Sequence, residues 1–166
     1  MPLEDEIQRG GGRDSGGEKS KFPPRLDAEG LLNYYAKGKR DFASHDLRSL
    51  SLQKVNLSSA NFHQSLLSKI NLQGANLNNA DFGRANLTNA NLRDANLVRA
   101  YMSYADLENA DLRGADLSGA YLLNANLRGA NLCGANLSGA RMAEEQLAMA
   151  RTNWMTIRPS GKRGIW

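Results

Sequence analysis

Three residue types in this sequence could support catalysis or metal binding: the histidines His45 and His63, the single cysteine Cys133, and a scatter of carboxylates. A zinc site needs His and Cys ligands at short paired spacings, and a thiol nucleophile needs a base held against it. Neither constellation is present. The histidines have no cysteine or carboxylate cluster at ligand spacing, and no histidine lies near Cys133 in sequence. No catalytic residue, metal ligand or cofactor is assigned, and the expectation is a protein that is not an enzyme and has no small-molecule substrate.

What positions these residues is a repeat, plainest in ANLRGANLCGANLSGA, residues 125–140. Stepping by five from Leu132 gives 22 centres from Phe42 to Leu147, every one Leu, Phe or Met. The residue two before the centre is Ala fourteen times in succession, from Ala75 to Ala140. Five is not a multiple of the helical 3.6, and in a continuous strand it would swap faces at every repeat. The chain must therefore turn a corner every five residues. Ala and the centre, two apart, share the inner side of a short extended segment, and the Asn or Asp between them faces out. The last two letters are often Gly, Asn, Ser or Arg, which suits a tight corner or a positive φ.

The exceptions to Leu set the number of corners. Phe42, Phe62, Phe82, Met102 and Met142 fall in one column of period twenty, with Leu122 in the remaining place. Four pentapeptides then make one coil. The expected fold is all-β, a square-sectioned β-solenoid of about five and a half coils, roughly 26 Å tall at ~4.8 Å per stacked strand. In this frame His45 is inward on the first coil, while His63 and Cys133 lie at outer corners. Arg113, one coil below Cys133, would favour the thiolate there; the alternative is an ordinary exposed thiol.

The chain divides into a Gly-rich tail expected to be disordered (1–25), a capping helix (26–40), the solenoid (41–150) and a C-terminal cap with a basic tail (151–166). The tail is polar and cannot bury enough surface to offset its ordering entropy. The helix, from about 28 to 37, has an N-cap in Asp27, apolar Leu31, Leu32 and Tyr35 near one face, and a stop in Gly38. It would cover the unpaired backbone of the first coil, where Leu50, Val55 and Ile70 replace the usual Ala. After Met142 the pattern decays. Glu145 would place a charge inward, AEEQLAMA reads as a short irregular or helical turn, and Trp154 and Trp166 are candidates to cover the open end. That covering is possible within one chain or against a second copy, so a homodimer through this end is left open.

Residues 41–150 carry 10 acidic and 9 basic groups, and residues 151–166 carry 4 basic and no acidic ones, so the basic balance comes from the last sixteen residues. No apolar run approaches the ~18 residues of a membrane span. The first ten residues have neither the basic nor the apolar region of a secretory signal. With one cysteine and no internal disulfide possible, a cytoplasmic setting is expected.

The repeat of a small residue, Asn or Asp, Leu or Phe, then two free positions resembles the pentapeptide-repeat family, over about two thirds of the chain. The segment LLNYYAKGKRDF is similar to the N-terminal capping segments of cyanobacterial members. The resemblance implies a right-handed quadrilateral β-helix. It also implies one specific alternative function, a DNA-mimicking modulator of DNA gyrase, which demands an acidic exterior. Here each outward Asp has neutral neighbours in its column, as Asp106 has in Asn86 and Asn126. Nucleic-acid binding through RGGGR or RPSGKRGIW is the weaker reading, with one RGG-like triplet and no aromatic interleaving.

One outer face breaks the ladder. Tyr101, Tyr121 and Arg141 stand where Asn or Asp is expected, Tyr104 and Leu123 occupy the adjacent corner positions, and Arg84 and Arg141 rim the group. Aromatic and apolar groups gathered on one side point to a protein-binding patch; the alternative is a tyrosine ladder with only a structural role. The expected function is a non-enzymatic scaffold that binds a protein partner not identifiable from the sequence.

Overall fold

An extended segment of three residues can send only alternate side chains to one side, and the pentapeptide obeys this. In the computed structural model, which describes residues 25–163, every centre from Phe42 to Leu137 and every Ala from Ala75 to Ala140 is buried. The outward residues are joined by parallel bridges to the residue twenty positions on, in four columns that start at Asp41, Asp46, Ser51 and Asn56. These columns are the first to fourth faces. An outward residue bonds down and its flanking residues bond up. The Asn61 N–H donates to the Arg40 carbonyl at 2.7 Å, the Asn61 carbonyl accepts from Phe42 at 2.7 Å, and the Phe62 N–H donates to Asp81 at 2.7 Å.

The corners account for the remaining letters. From Ser44 to Asn124 fourteen non-glycine residues hold a positive φ of +56° to +62°, alternating with glycines such as Gly74 and Gly114 at the same corner position. Each such non-glycine residue costs about 1 kcal/mol or more. At most corners two hydrogen bonds offset it. The Ala75 N–H donates to the Leu72 carbonyl at 3.0 Å, and the Asn71 side-chain oxygen accepts from the Gln73 N–H at 3.2 Å. The second bond recurs around the solenoid, for example from Gly83 to Asp81 at 2.7 Å and from Val98 to Asn96 at 3.1 Å. It explains why the outward position favours Asn or Asp: their side-chain oxygen reaches the N–H two residues on, a bond Ser and Thr make more weakly.

The lumen is filled. Phe42 stacks on Phe62 at 5.8 Å between ring centres and Phe62 on Phe82 at 5.2 Å, and buried Met102 and Leu122 continue the column. Helix α1 (Ala28–Ala36) covers the first coil. The Asp27 carboxylate accepts from the Gly30 N–H at 2.7 Å, Gly38 ends the helix at φ +93°, and Leu31 is fully buried. The Tyr35 hydroxyl donates to the Ser58 carbonyl at 2.9 Å, and the Arg25 guanidinium donates to the Arg48 carbonyl at 2.7 Å.

The far end follows the sequence expectation in part. Helix α2 (Glu144–Ala148) lies in AEEQLAMA, where an irregular or helical turn is expected, but it leaves Glu145 exposed rather than inward. Gln146 turns in instead, and its amide donates to the Leu122 and Ala125 carbonyls at 2.7 and 2.8 Å. The ladder continues past residue 150, from Asn131 to Arg151 and from Asn136 to Ile157. The second step is one residue longer than the period and brings Thr156 inward, where its hydroxyl donates to the Leu132 carbonyl at 2.9 Å. Ile157 then pairs antiparallel with Arg163. Trp154 does not cover this end; it is 57% exposed. The reason is local, since the Asn153 side chain accepts from the Met155 N–H at 3.1 Å and holds Trp154 in an outward corner. Trp166 and the Gly-rich tail, apart from Arg25, lie outside the described residues.

Candidate functional site

The residues that break the polar ladder come together on the first face and the corner beside it. Bridges place Tyr101 between Asp81 and Tyr121, and Tyr121 below Arg141. The Tyr101 and Tyr121 rings are 6.0 Å apart, tilted by 39°. The Arg141 guanidinium lies 4.8 Å from the centre of the Tyr121 ring, and the Arg84 guanidinium lies 4.9 Å from that of Tyr104. Tyr101, Tyr104 and Leu123 are 43%, 53% and 49% exposed, in a chain whose other large apolar groups are mostly inside. All six residues singled out from the sequence therefore lie on one connected surface.

Gly83 belongs to this site and was not singled out from the sequence. A Cβ there would meet Tyr101 Cε1 at 2.9 Å and His63 Nδ1 at 2.7 Å. The missing side chain is what lets the Tyr101 ring lie down beside His63. A glycine at the first corner position, where the repeat otherwise carries larger residues, was the available signal.

The tyrosines also give something up. An Asn or Asp at these positions caps the N–H two residues on, and a phenol cannot. The neutral hydrogen bond forgone is worth roughly 1 kcal/mol.

His63 Nδ1 stands 3.7 Å from the Asp81 carboxylate, and His45 Nδ1 pairs with the Ala43 carbonyl at 2.8 Å with its ring edge-on to Phe42. Cys133 is half-buried and free. Arg113, which one of the two readings set against this thiol, pairs with Asp111 at 2.6 Å. Its own pentapeptide supplies the closer acid. Among the described residues no three of His, Cys, Asp and Glu gather closely enough to hold a metal ion.

Two ion pairs of the same design set a pH response. The hydrogen-bonded Arg48 guanidinium holds the Asp46 carboxyl below the usual carboxylate range, and Arg113 does the same for Asp111. A depressed carboxyl contributes stability that is present above its unfolded pKa of about 3.9 and is lost as pH falls through the folded value. Both pairs face water, so the contribution is small. Asp111→Asn keeps the corner acceptor and removes the charge. Its melting temperature should lie slightly below the parent's at pH 7, and the gap should narrow as pH falls below the unfolded value of about 3.9; a gap that does not narrow on acidification would place the effect elsewhere.

A family model described as Pentapeptide repeats matches the chain with eight copies, over residues 56–94, 65–103, 80–119 and 110–144. Among solved structures, the chain is similar to a pentapeptide repeat protein from the Arabidopsis thaliana thylakoid lumen, at 28% identity and a TM-score of 0.54, covering 68% of this chain and 76% of that one. It is also similar to HetL, a pentapeptide repeat protein involved in heterocyst differentiation regulation from the cyanobacterium Nostoc sp. strain PCC 7120. There the identity is 26% and the TM-score 0.48, over 78% of this chain and 73% of that one. A third, Rfr23 from the cyanobacterium Cyanothece 51142, is 28% identical with a TM-score of 0.40, over 77% and 96% of the two chains. No curated protein matches the sequence. No helix of the described residues is long and apolar enough to cross a membrane. With the family model spanning residues 56 to 144 and the parallel ladder repeating every twenty residues through the same stretch, the chain belongs to the pentapeptide repeat family.

Proposed function

We propose that this protein is a non-enzymatic scaffold, a right-handed quadrilateral β-helix of about five and a half coils that binds a protein partner in the cytoplasm through its first face. The supporting observation is the gathering of Tyr101, Tyr104, Tyr121 and Leu123 with two arginines laid on the rings. A filled lumen leaves no enclosed apolar pocket of the kind substrates occupy, so recognition falls to the surface. Aromatic and arginine anchors carry much of the energy of protein interfaces.

Duplex mimicry of the kind that modulates gyrase is disfavoured. Asp81, Asp106, Asp111 and Asp116 lie on four different faces, and Asp111 is neutralised by Arg113. Such spacing does not make an acidic lane.

Tyr104 holds φ +62°, a conformation Asn tolerates well. Tyr104→Asn should therefore remove the ring without disturbing the corner. In affinity capture from the native cell, it should weaken partner recovery at least tenfold, on the order of 1.4 kcal/mol or more, while the thermal melt stays within a few degrees. Arg99→Asn, at an equivalent corner of another face with φ +56°, is the control. Equal recovery by the two variants would leave the tyrosines as a structural ladder.

A further inference from the structure

We infer that the partner meets this face with an acidic, extended segment whose two carboxylates lie about two coils apart, roughly 10 Å at ~4.8 Å per coil. This rests on the scaffold reading above and adds the chemistry of the occupant. The carrying observation is the state of the two guanidiniums. Arg84 and Arg141 lie 4.9 and 4.8 Å from the Tyr104 and Tyr121 ring centres, and neither is among the ion pairs of the described residues. A guanidinium this near a ring is attracted to its face and restricted in its motion. Such a group, unpaired with any acid of the described residues, is prepared for contact with a carboxylate and loses less entropy on binding than a free side chain.

Two arginines on other faces differ. Arg48 and Arg113 already hold Asp46 and Asp111 at 2.7 and 2.6 Å. The acids that flank the patch are also engaged. Glu144 stands 3.8 Å from Arg158, while Asp81 stands 3.7 Å from His63; Arg84 and Arg141 together outweigh Asp81, so the charge balance on this face is positive.

The rest of the geometry follows from the coil. Arg84 leans from its own coil up to Tyr104 and Arg141 leans down to Tyr121, with exposed Leu123 beside the span. An extended segment in the polyproline II conformation, with three residues per turn at ~3.1 Å each, returns a side chain to the same side after roughly 9 Å. The fitting motif is therefore acid, two residues, acid, with an apolar side chain between to meet Leu123. Base stacking suits the site less well, because a guanidinium already covers one face of Tyr104 and of Tyr121.

The test uses fluorescein-labelled peptide of three Glu-Leu-Ala-Glu units, the same peptide with Gln for Glu, and a twelve-residue oligothymidylate, read by anisotropy against the full chain. The acidic peptide should bind at low ionic strength, weaken as salt rises from 20 to 200 mM, and lose at least about fivefold in affinity with either Arg84→Gln or Arg141→Gln. Gln64 holds φ +56° at the corner one coil below Arg84, so the first substitution fits the backbone. Arg128→Gln, on another corner, should change affinity less than twofold. Absence of acidic-peptide binding, equal binding of the Gln peptide, or indifference to both substitutions would overturn the inference. Tighter binding of oligothymidylate, lost with the same substitutions, would overturn it in favour of a nucleic acid. If capture of the native partner fails with Tyr104→Asn yet survives the double Arg84→Gln, Arg141→Gln variant, the scaffold reading stands and acidic recognition falls.

Discussion

Leu97→Lys is expected to abolish cooperative folding of the solenoid. Leu97 is a fully buried centre on the fourth face, halfway along the stack. Losing its burial removes about 1.5–3 kcal/mol, and the ammonium finds no acceptor, since the lumen around it is lined by Leu and Ala. An unpaired buried charge costs several kcal/mol more, against a total stability of about 5–15 kcal/mol for a domain. In a solenoid the damage also spreads, because each coil is stabilised by its neighbours and a break in the middle leaves two short stacks. Val98→Lys, one residue on, sits at a half-buried corner and should shift the melt by only a few degrees. Circular dichroism melts of the two variants test the register directly. Similar melts would mean that residue 97 is not inward.

The register was legible because the lumen tolerates almost nothing but Leu, Phe or Met at the centre, and the Phe and Met column marked the period of twenty. The capping helix was legible for a similar reason, with Asp27 and Gly38 supplying local start and stop chemistry. What escaped the sequence depended on neighbours one coil away. Gln146 turns inward because the Ala125 carbonyl lacks the backbone N–H that the next coil would supply; its amide takes that place and also reaches the Leu122 carbonyl. Trp154 turns outward because Asn153 closes an Asx turn beneath it, whereas its size alone suggested a plug. The role of Gly83 appears only once the Tyr101 ring, eighteen residues on, is seen lying over it.

The candidate site follows the same division. Tyr101 and Tyr121 were visible as departures from the outward Asn or Asp, and the period placed them one above the other. The stacking of Arg84 on Tyr104 was not visible, since it depends on side-chain direction across a corner. The position of the site also follows from the fold. A lumen filled at every level hands recognition to the outside, where the Asn and Asp side chains are already committed to holding the corners. Residues free to bind must therefore replace them and forgo that bond, as Tyr101 and Tyr121 do.

At the N-terminal end, Leu31→Asp is expected to undock α1 and to make the protein self-associate beyond its parent state. Leu31 is fully buried on the first coil, so a carboxylate there costs several kcal/mol if the helix stays in place. Releasing the helix avoids that cost and breaks the Tyr35 bond to Ser58 as well. The exposed coil would then present Phe42, Leu47, Leu52 and Leu57 together with unpaired strand backbone, a combination that templates edge-to-edge pairing. The rest of the stack, held by its own neighbours, should remain folded. Hydrogen exchange would show this as at least a hundredfold loss of protection at the Phe42 and Leu47 amides, with protection near Leu97 retained, and light scattering would show growth in particle size with concentration. Asn33→Asp, on the exposed side of the same helix, is the control for added charge. A variant that keeps the parent's particle size and its first-coil protection would show that the backbone edge needs no cover, and that α1 is held for another purpose.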